Sequence, residues 1–171
     1  MTETLPKGLV QRAALVMAAF REAGLKLATA ESCTGGLIAA CMTELAGSSH
    51  VFERGFVTYA NEAKQELLGV PGPALVEHGA VSEQVALHMA LGALDRSRAD
   101  IAIAVTGVAG PGGGSPEKPV GLVFVAGARR NAATHADHNI VDRHVFTGDR
   151  AQIREATVLA ALDLALNLAE A

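Results

Sequence analysis

With 171 residues, half of them apolar and 19% charged, the chain has the length and composition of one globular domain over 1–171 and not those of a disordered segment. Its formal net charge of -4, with no long run of Lys or Arg, excludes a polyanion-binding face, so no nucleic-acid partner is expected. The first residues lack a signal-peptide pattern and no apolar stretch reaches the roughly 18 residues of a membrane span, so no membrane partner and a cytoplasmic address are expected. Cys33 and Cys41 fit neither a disulfide framework nor a zinc knuckle and read as reduced thiols.

Leu9, Val10, Ala13, Ala14, Met17 and Phe20 recur at helical spacing, and Gly24 supplies a left-handed stop, predicting an opening amphipathic helix. A strand over Leu25 to Ala30 follows, then a sharp turn at Glu31-Ser32-Cys33-Thr34 and a helix over Gly35 to Leu45. Ser32 is thus expected where a strand becomes a helix. A second strand over Gly55 to Tyr59, closed by Tyr59, leads into a short helix capped by Asn61, with Lys64 in its first turn and Gly69 as its stop. After a turn at Val70-Pro71-Gly72-Pro73, Ser82 is expected to cap a helix with Val85, Ala86, Met89, Ala90, Ala93 and Leu94 inward.

Ile101 to Val105 is an unbroken apolar run, as for a central strand covered on both faces, and it enters a Gly/Pro-rich loop over 107–119. Val120 to Ala126 and Asn139 to Phe146 read as two further strands, followed by a long helix capped by Asp149. Helical crossovers imply parallel neighbours, while the short links between the last three strands require at least one antiparallel strand. The fold class expected is α/β, a three-layer α/β/α sandwich with a mixed five-stranded sheet.

A serine on a strand-to-helix turn suits nucleophilic work, because its hydroxyl is exposed and the N–H groups of the opening helix turn can hold an oxyanion. The competing reading of Ser32 or Thr34 as a plain helix cap is the commoner one for this segment alone. As a base for Ser32 no histidine stands out, whereas Lys64, early in a helix, feels the positive end of its dipole and on partial burial would lose basicity. Tyr59, the only tyrosine, is expected near enough for its phenol to bond the Lys64 amine or relay a proton; a solvated lysine beside an edge aromatic is the bland alternative.

The loop from Thr106 to Gly114 follows a buried strand, where open α/β sheets usually bind ligands, but matches neither common nucleotide-binding glycine motif. It reads as a backbone cradle for ribose or phosphate, or as a flexible surface loop. Arg143 and Arg150 lie beyond the fourth strand, and either has the guanidinium fork that a phosphate takes. His135, Asp137, His138, Asp142 and His144 invite a metal reading, but strand parity divides them between two faces, so an exposed polar strand and no metal are expected.

The segments AESCTGG (30–36), GFVTYANEAK (55–64), HGAVSE (78–83), TGVAGPGGG (106–114) and KPVGLVFVA (118–126) together resemble the CinA C-terminal domain family, over about residues 7 to 168. That family includes stand-alone nicotinamide-nucleotide amidases, which convert nicotinamide mononucleotide (NMN) to nicotinate mononucleotide and ammonia. The resemblance implies a three-layer fold with one antiparallel strand, Ser32 as nucleophile, and Tyr59 and Lys64 assisting proton transfer, with no metal or organic cofactor. It implies that Asn61 positions ligand or lysine, and that Thr106, Gly107, Ala109 and Gly110 face the nucleotide with Arg150 as the phosphate partner. Two departures are visible: Gly121-Leu122-Val123 where G-T-V is frequent, and Ala60 where serine is commoner. Neither touches the acyl-transfer groups. The shortness of the chain leaves no room for the larger N-terminal domain to which the family is also fused, so a stand-alone amidase is expected.

The mechanism expected has Lys64, helped by Tyr59, take the Ser32 proton while N–H groups of Cys33, Thr34, Gly35 and Gly36 hold the oxyanion. A non-catalytic pyridine-nucleotide-binding module and an assembly module are the alternatives. The alanine-rich first and last helices make a homo-oligomer the expected state.

Overall fold

A computed structural model describes residues 5–130 and 138–170. The elements run α1 (Lys7–Ala23), β1 (Leu27–Glu31), α2 (Leu37–Thr43), a 3-10 turn (Ser48–His50), β2 (Phe52–Val57), α3 (Asn61–Leu68), α4 (Gly72–His78), α5 (Glu83–Asp95), β3 (Ile101–Gly107), β4 (Leu122–Arg129), β5 (His138–Val145) and α6 (Arg150–Glu170). The sheet has the order β2-β1-β3-β4-β5. β1 pairs in parallel with β2 and β3, β4 runs antiparallel to β3, and β5 runs antiparallel to β4, so β4 alone is reversed. This is the mixed five-stranded sheet between two helical layers expected from the element order.

The period of two along the strands divides the core into two unlike halves. On one face Leu27, Ile101, Ile103, Val105, Val123 and Val125 pack against α1, α2 and α6 through Phe20, Ile38, Leu162 and Leu168. On the other face the strands present alanines, Ala28, Ala30, Ala102, Ala104, Ala126 and Ala128, against Val85, Met89 and Leu94 of α5 and Leu68 of α3. Large aliphatic side chains fill the first layer, and the small ones of the second let α5 lie close to the sheet.

Local signals account for most helix ends. Gly24 is left-handed (φ 68°) after α1, the Ser82 hydroxyl accepts the Val85 N–H at 3.3 Å at the start of α5, and the Asp149 carboxylate accepts the Gln152 N–H at 2.9 Å while the Gln152 side chain accepts the Asp149 N–H at 2.8 Å. Three expectations need correction. Asn61 is the first residue of α3 and Ala60 its N-cap, with no side-chain bond to the helix end. β2 ends at Val57, two residues before Tyr59: the Thr58 N–H makes the last bond to β1, on the Glu31 carbonyl, and with Ala60 already the N-cap of α3 the chain turns away. The segment after Val70 is a turn only briefly: Pro71 and Pro73 open the unforeseen helix α4, where proline's fixed φ and missing N–H are tolerated.

Candidate active site

β1 is an interior strand, between β2 and β3, and strand parity sends its last side chains to opposite faces. Glu31 points toward α2, and Ser32 toward α3. The Ser32 N–H donates to the Val105 carbonyl at 3.1 Å, which extends the β1–β3 ladder by one bond and holds the serine beside the end of β3. Ser32 is 9% exposed, at the floor of a cleft of about 210 Å³ lined by Ser32, Cys33, Tyr59, Lys64, Ala80, Val81, Thr106, Gly107, Ala109 and Arg150. The cleft lies beyond the C-terminal ends of β1 and β3, beside the point where α2 and α3 follow the neighbouring parallel strands β1 and β2 on opposite faces of the sheet.

Lys64 is buried, an unusual place for an ammonium group. Its Nζ lies 3.0 Å from Ser32 Oγ, 2.8 Å from the Thr58 carbonyl and 3.2 Å from the Tyr59 carbonyl. Desolvation holds its pKa below the ordinary lysine value of 10.5, opposed in part by the Cys33 thiol. A neutral amine has two hydrogens and one lone pair, and two carbonyls and one hydroxyl are the matching partners. As an ammonium Lys64 donates to all three of these oxygens; when it is neutral, with its two hydrogens on the Thr58 and Tyr59 carbonyls, its lone pair faces the Ser32 hydroxyl.

Cys33, the other nucleophile at hand, is buried, and that burial pushes its thiol up to about 11. It stays protonated near neutrality. Of the turn N–H groups, that of Gly35 donates to the Ser32 carbonyl at 3.1 Å and that of Gly36 to the Glu31 carboxylate at 3.1 Å. Thr34 is fully buried outside the cleft lining, so Cys33, which lines the cleft, is left as the donor this turn can offer to a ligand oxygen.

At the outer edge the Tyr59 phenol is directed away from Lys64. Its oxygen accepts from Arg150 Nη2 at 3.2 Å, while Arg150 Nη1 donates to the Gly110 carbonyl at 2.7 Å. It is the Tyr59 main-chain carbonyl, not the expected phenol, that meets the Lys64 amine. The far wall is tied down by Thr106 Oγ1, which donates to the Ala80 carbonyl at 2.7 Å, and by Lys118 Nζ, which donates to the His78 carbonyl at 2.5 Å. A Cβ on Gly107 would lie 2.6 Å from Val123 Cγ2 and 2.8 Å from the Leu122 carbonyl oxygen, so only glycine lets β3 reach the cleft this close to β4.

The structure brings together Ser32, Tyr59, Lys64, Thr106, Gly107, Ala109 and Arg150. Thr34, Gly35, Gly36, Asn61 and Gly110 lie outside the lining: Thr34 Oγ1 is spent on Glu31, the two glycines shape the turn, Asn61 is exposed on α3, and Gly110 offers its carbonyl to Arg150. Arg143 lies on the edge strand β5, with β4 and β3 between it and β1. His138, Asp142 and His144 lie on β5, and His135 and Asp137 fall outside the described residues. Among the described residues no group of three or more His, Cys, Asp or Glu is arranged to hold a metal ion, and no helix is long and apolar enough to cross a membrane.

Residues 10–169 match the family model of the CinA C-terminal domain. The chain belongs to that family. It is 49% identical over 154 residues to the nicotinamide-nucleotide amidohydrolase PncC of Escherichia coli strain K12, covering 90% of each chain. It is 51% identical to a putative competence-damage inducible protein of Caldicellulosiruptor bescii over 88% of its own length but 35% of that longer relative. Among solved structures, the competence/damage inducible protein CihA of Agrobacterium tumefaciens superposes with a TM-score of 0.90 at 50% identity, covering 97% of this chain and 99% of that one. A CinA superfamily protein of Klebsiella pneumoniae gives 0.87 at 34% identity over 95% and 98%.

Two features of this CinA domain escaped sequence reasoning. Ala80 and Val81 form a wall of the cleft, although the HGAVSE segment marks only where to look. Glu31 lies inside the AESCTGG motif, yet nothing in its spacing tells which hydrogen bonds its side chain makes.

Proposed function

We propose that this CinA domain hydrolyses the carboxamide of nicotinamide mononucleotide to nicotinate mononucleotide and ammonia, with Ser32 as nucleophile and Lys64 as its base. The observation that carries this reading is the buried Lys64 amine, 3.0 Å from Ser32 Oγ and held by two carbonyls. The substrate is that named for the E. coli relative, which this chain matches over nine-tenths of both lengths.

In this scheme neutral Lys64 takes the Ser32 proton as Oγ bonds to the amide carbon. The carbonyl oxygen becomes an oxyanion held by the Cys33 N–H at the cleft lining. The Lys64 ammonium returns the proton to the departing nitrogen, the C–N bond breaks and ammonia leaves a nicotinoyl ester on Ser32. Lys64 then takes a proton from water, whose oxygen attacks the ester carbon, and the carboxylate product leaves as Ser32 regains its proton. Arg150 meets the phosphate with its guanidinium, Tyr59 holds Arg150 over the opening, and Thr106, Gly107 and Ala109 flank the pyridine and ribose.

The test is ammonia release from purified protein with NMN, with product followed by mass and Ser32→Ala alongside. Release by the wild type alone is expected. Binding of NMN without release by either protein would favour the non-catalytic nucleotide-binding module.

A further inference from the structure

The Glu31 carboxyl group is buried 1% exposed, adjacent in sequence to the nucleophile but on the opposite face of β1. Its Oε2 accepts the Thr34 hydroxyl at 2.6 Å, the Gly36 N–H at 3.1 Å and the Ile38 N–H at 3.0 Å. Its Oε1 accepts the Ala39 N–H at 2.9 Å and faces the Thr29 hydroxyl at 3.5 Å. The residue at the N-cap of α2 is Gly36, with no side chain of its own, so a carboxylate five positions upstream supplies the cap.

The ring this closes encloses the chemistry. Ser32 and Cys33 lie between Glu31 and its first partner, Thr34, and the turn contains two adjacent glycines at φ 60° and 98°, the most freely rotating backbone in the site. Main-chain bonds from Gly35 to Ser32 and from Leu37 to Thr34 close the turn locally, and the Glu31 side chain adds the ties that link its start to Thr34, Gly36, Ile38 and Ala39. Arg154 Nη2 completes the clamp from outside by donating to the Thr34 carbonyl at 2.8 Å. The Glu31 main-chain carbonyl also accepts the Thr58 N–H at 2.9 Å, and Thr58 is the residue whose own carbonyl orients Lys64.

We infer that Glu31 is a positioning residue for acyl transfer: its side chain holds the turn so that Ser32 Oγ and the Cys33 N–H face the same point in the cleft. It touches neither substrate nor Lys64, and acts through the backbone it ties. This rests on the amidase reading for its substrate, but not on that reading for the geometry.

The test compares wild type, Glu31→Gln and Thr34→Val. Glutamine places an NH2 group against backbone donors; valine removes one hydroxyl from the carboxylate and is the milder change, so it decides the matter if Glu31→Gln does not fold. With NMN, kcat should fall about a hundredfold in Glu31→Gln and about tenfold in Thr34→Val, as expected for a nucleophile displaced by a fraction of an ångström, with KM within about threefold. The rising limb of the pH profile should not move, since Lys64 is untouched. Labelling of Ser32 by a fluorophosphonate, which needs no nucleotide recognition, should slow in parallel. If both variants lose thermal stability but keep kcat and labelling rate within twofold, Glu31 is a helix cap and nothing more. If the wild type leaves NMN intact yet Ser32 labels, the substrate assignment fails while the labelling rates still judge Glu31. A wild-type Ser32 that does neither overturns the inference, because there is then no activated serine to position.

Discussion

The inner and outer halves of the cleft are built on different principles. Ser32 is 9% exposed and Lys64 is buried; their side chains meet directly at 3.0 Å, and main-chain groups hold each of them, the Thr58 carbonyl for Lys64 and the Val105 carbonyl for the Ser32 N–H. Tyr59 is 63% exposed, and it and Arg150 hold each other and Gly110 through side chains that solvent can reach. Desolvation strengthens electrostatics and lowers the basicity of Lys64 in the inner half, whereas the outer half remains in high dielectric and is free to exchange partners. The difference assigns bond making to the floor and substrate identity to the opening.

The sharpest way to break this division is Ser32→Ala, expected to lower kcat about 1000-fold or more while NMN still binds, as measured by steady-state kinetics and calorimetry. Equal loss of binding would place Ser32 in recognition instead. Lys64→Arg should come close behind, because a guanidinium cannot become neutral near pH 7 to accept a proton. In the wild type, kcat/KM should rise with pH through the lowered Lys64 pKa, and a flat profile would remove Lys64 as the base.

Stability gives an independent check on the same lysine. Because the folded pKa lies below the unfolded 10.5, the unfolded chain binds more protons between the two values. The stabilisation from Lys64 is therefore present above about pH 10.5 and lost as pH falls through the folded value. Denaturant titrations should show Lys64→Met gaining on the wild type as pH is lowered across that window; both proteins are made in a Cys33→Ala background, because Cys33 interacts electrostatically with Lys64, and the difference between them cancels the opposite contribution of Cys41, raised to about 11.

Next in size, Cys33 should react with iodoacetamide about a hundredfold more slowly in the folded than in the unfolded chain, since about two pKa units separate 11 from the ordinary 9.0. Fast alkylation followed by mass spectrometry would show the floor to be open. At the rim the effects should be smaller and should fall on KM: about tenfold for Arg150→Ala with kcat nearly kept, and about threefold for Tyr59→Phe. Arg150→Ala should also erase any preference for NMN over nicotinamide riboside, and a kcat loss in its place would dissolve the boundary between the halves.

What could be read along the chain was whatever depends on near neighbours. The apolar run at Ile101, the helical spacing from Leu9 to Phe20, the caps at Ser82 and Asp149 and the strand-to-helix turn bearing Ser32 are local, because propensity, period and capping act within a few residues. That at least one strand is reversed also followed from connection lengths, and the family resemblance implied that it is one. Lys64 was nameable as a partner for Ser32 only as a weak spacing pattern joined to a family resemblance; its burial and its 3.0 Å approach depend on β1 pairing with β2 and α3 folding back over their ends. The direction of the Tyr59 phenol is set by Arg150, 91 residues away, and the Ala80 wall by Thr106, 26 residues away. Glu31 and Ser32 differ by one position and serve opposite faces, a division that strand parity makes possible and only the packing of α2 and α3 on either side of β1 turns into a clamp and a nucleophile.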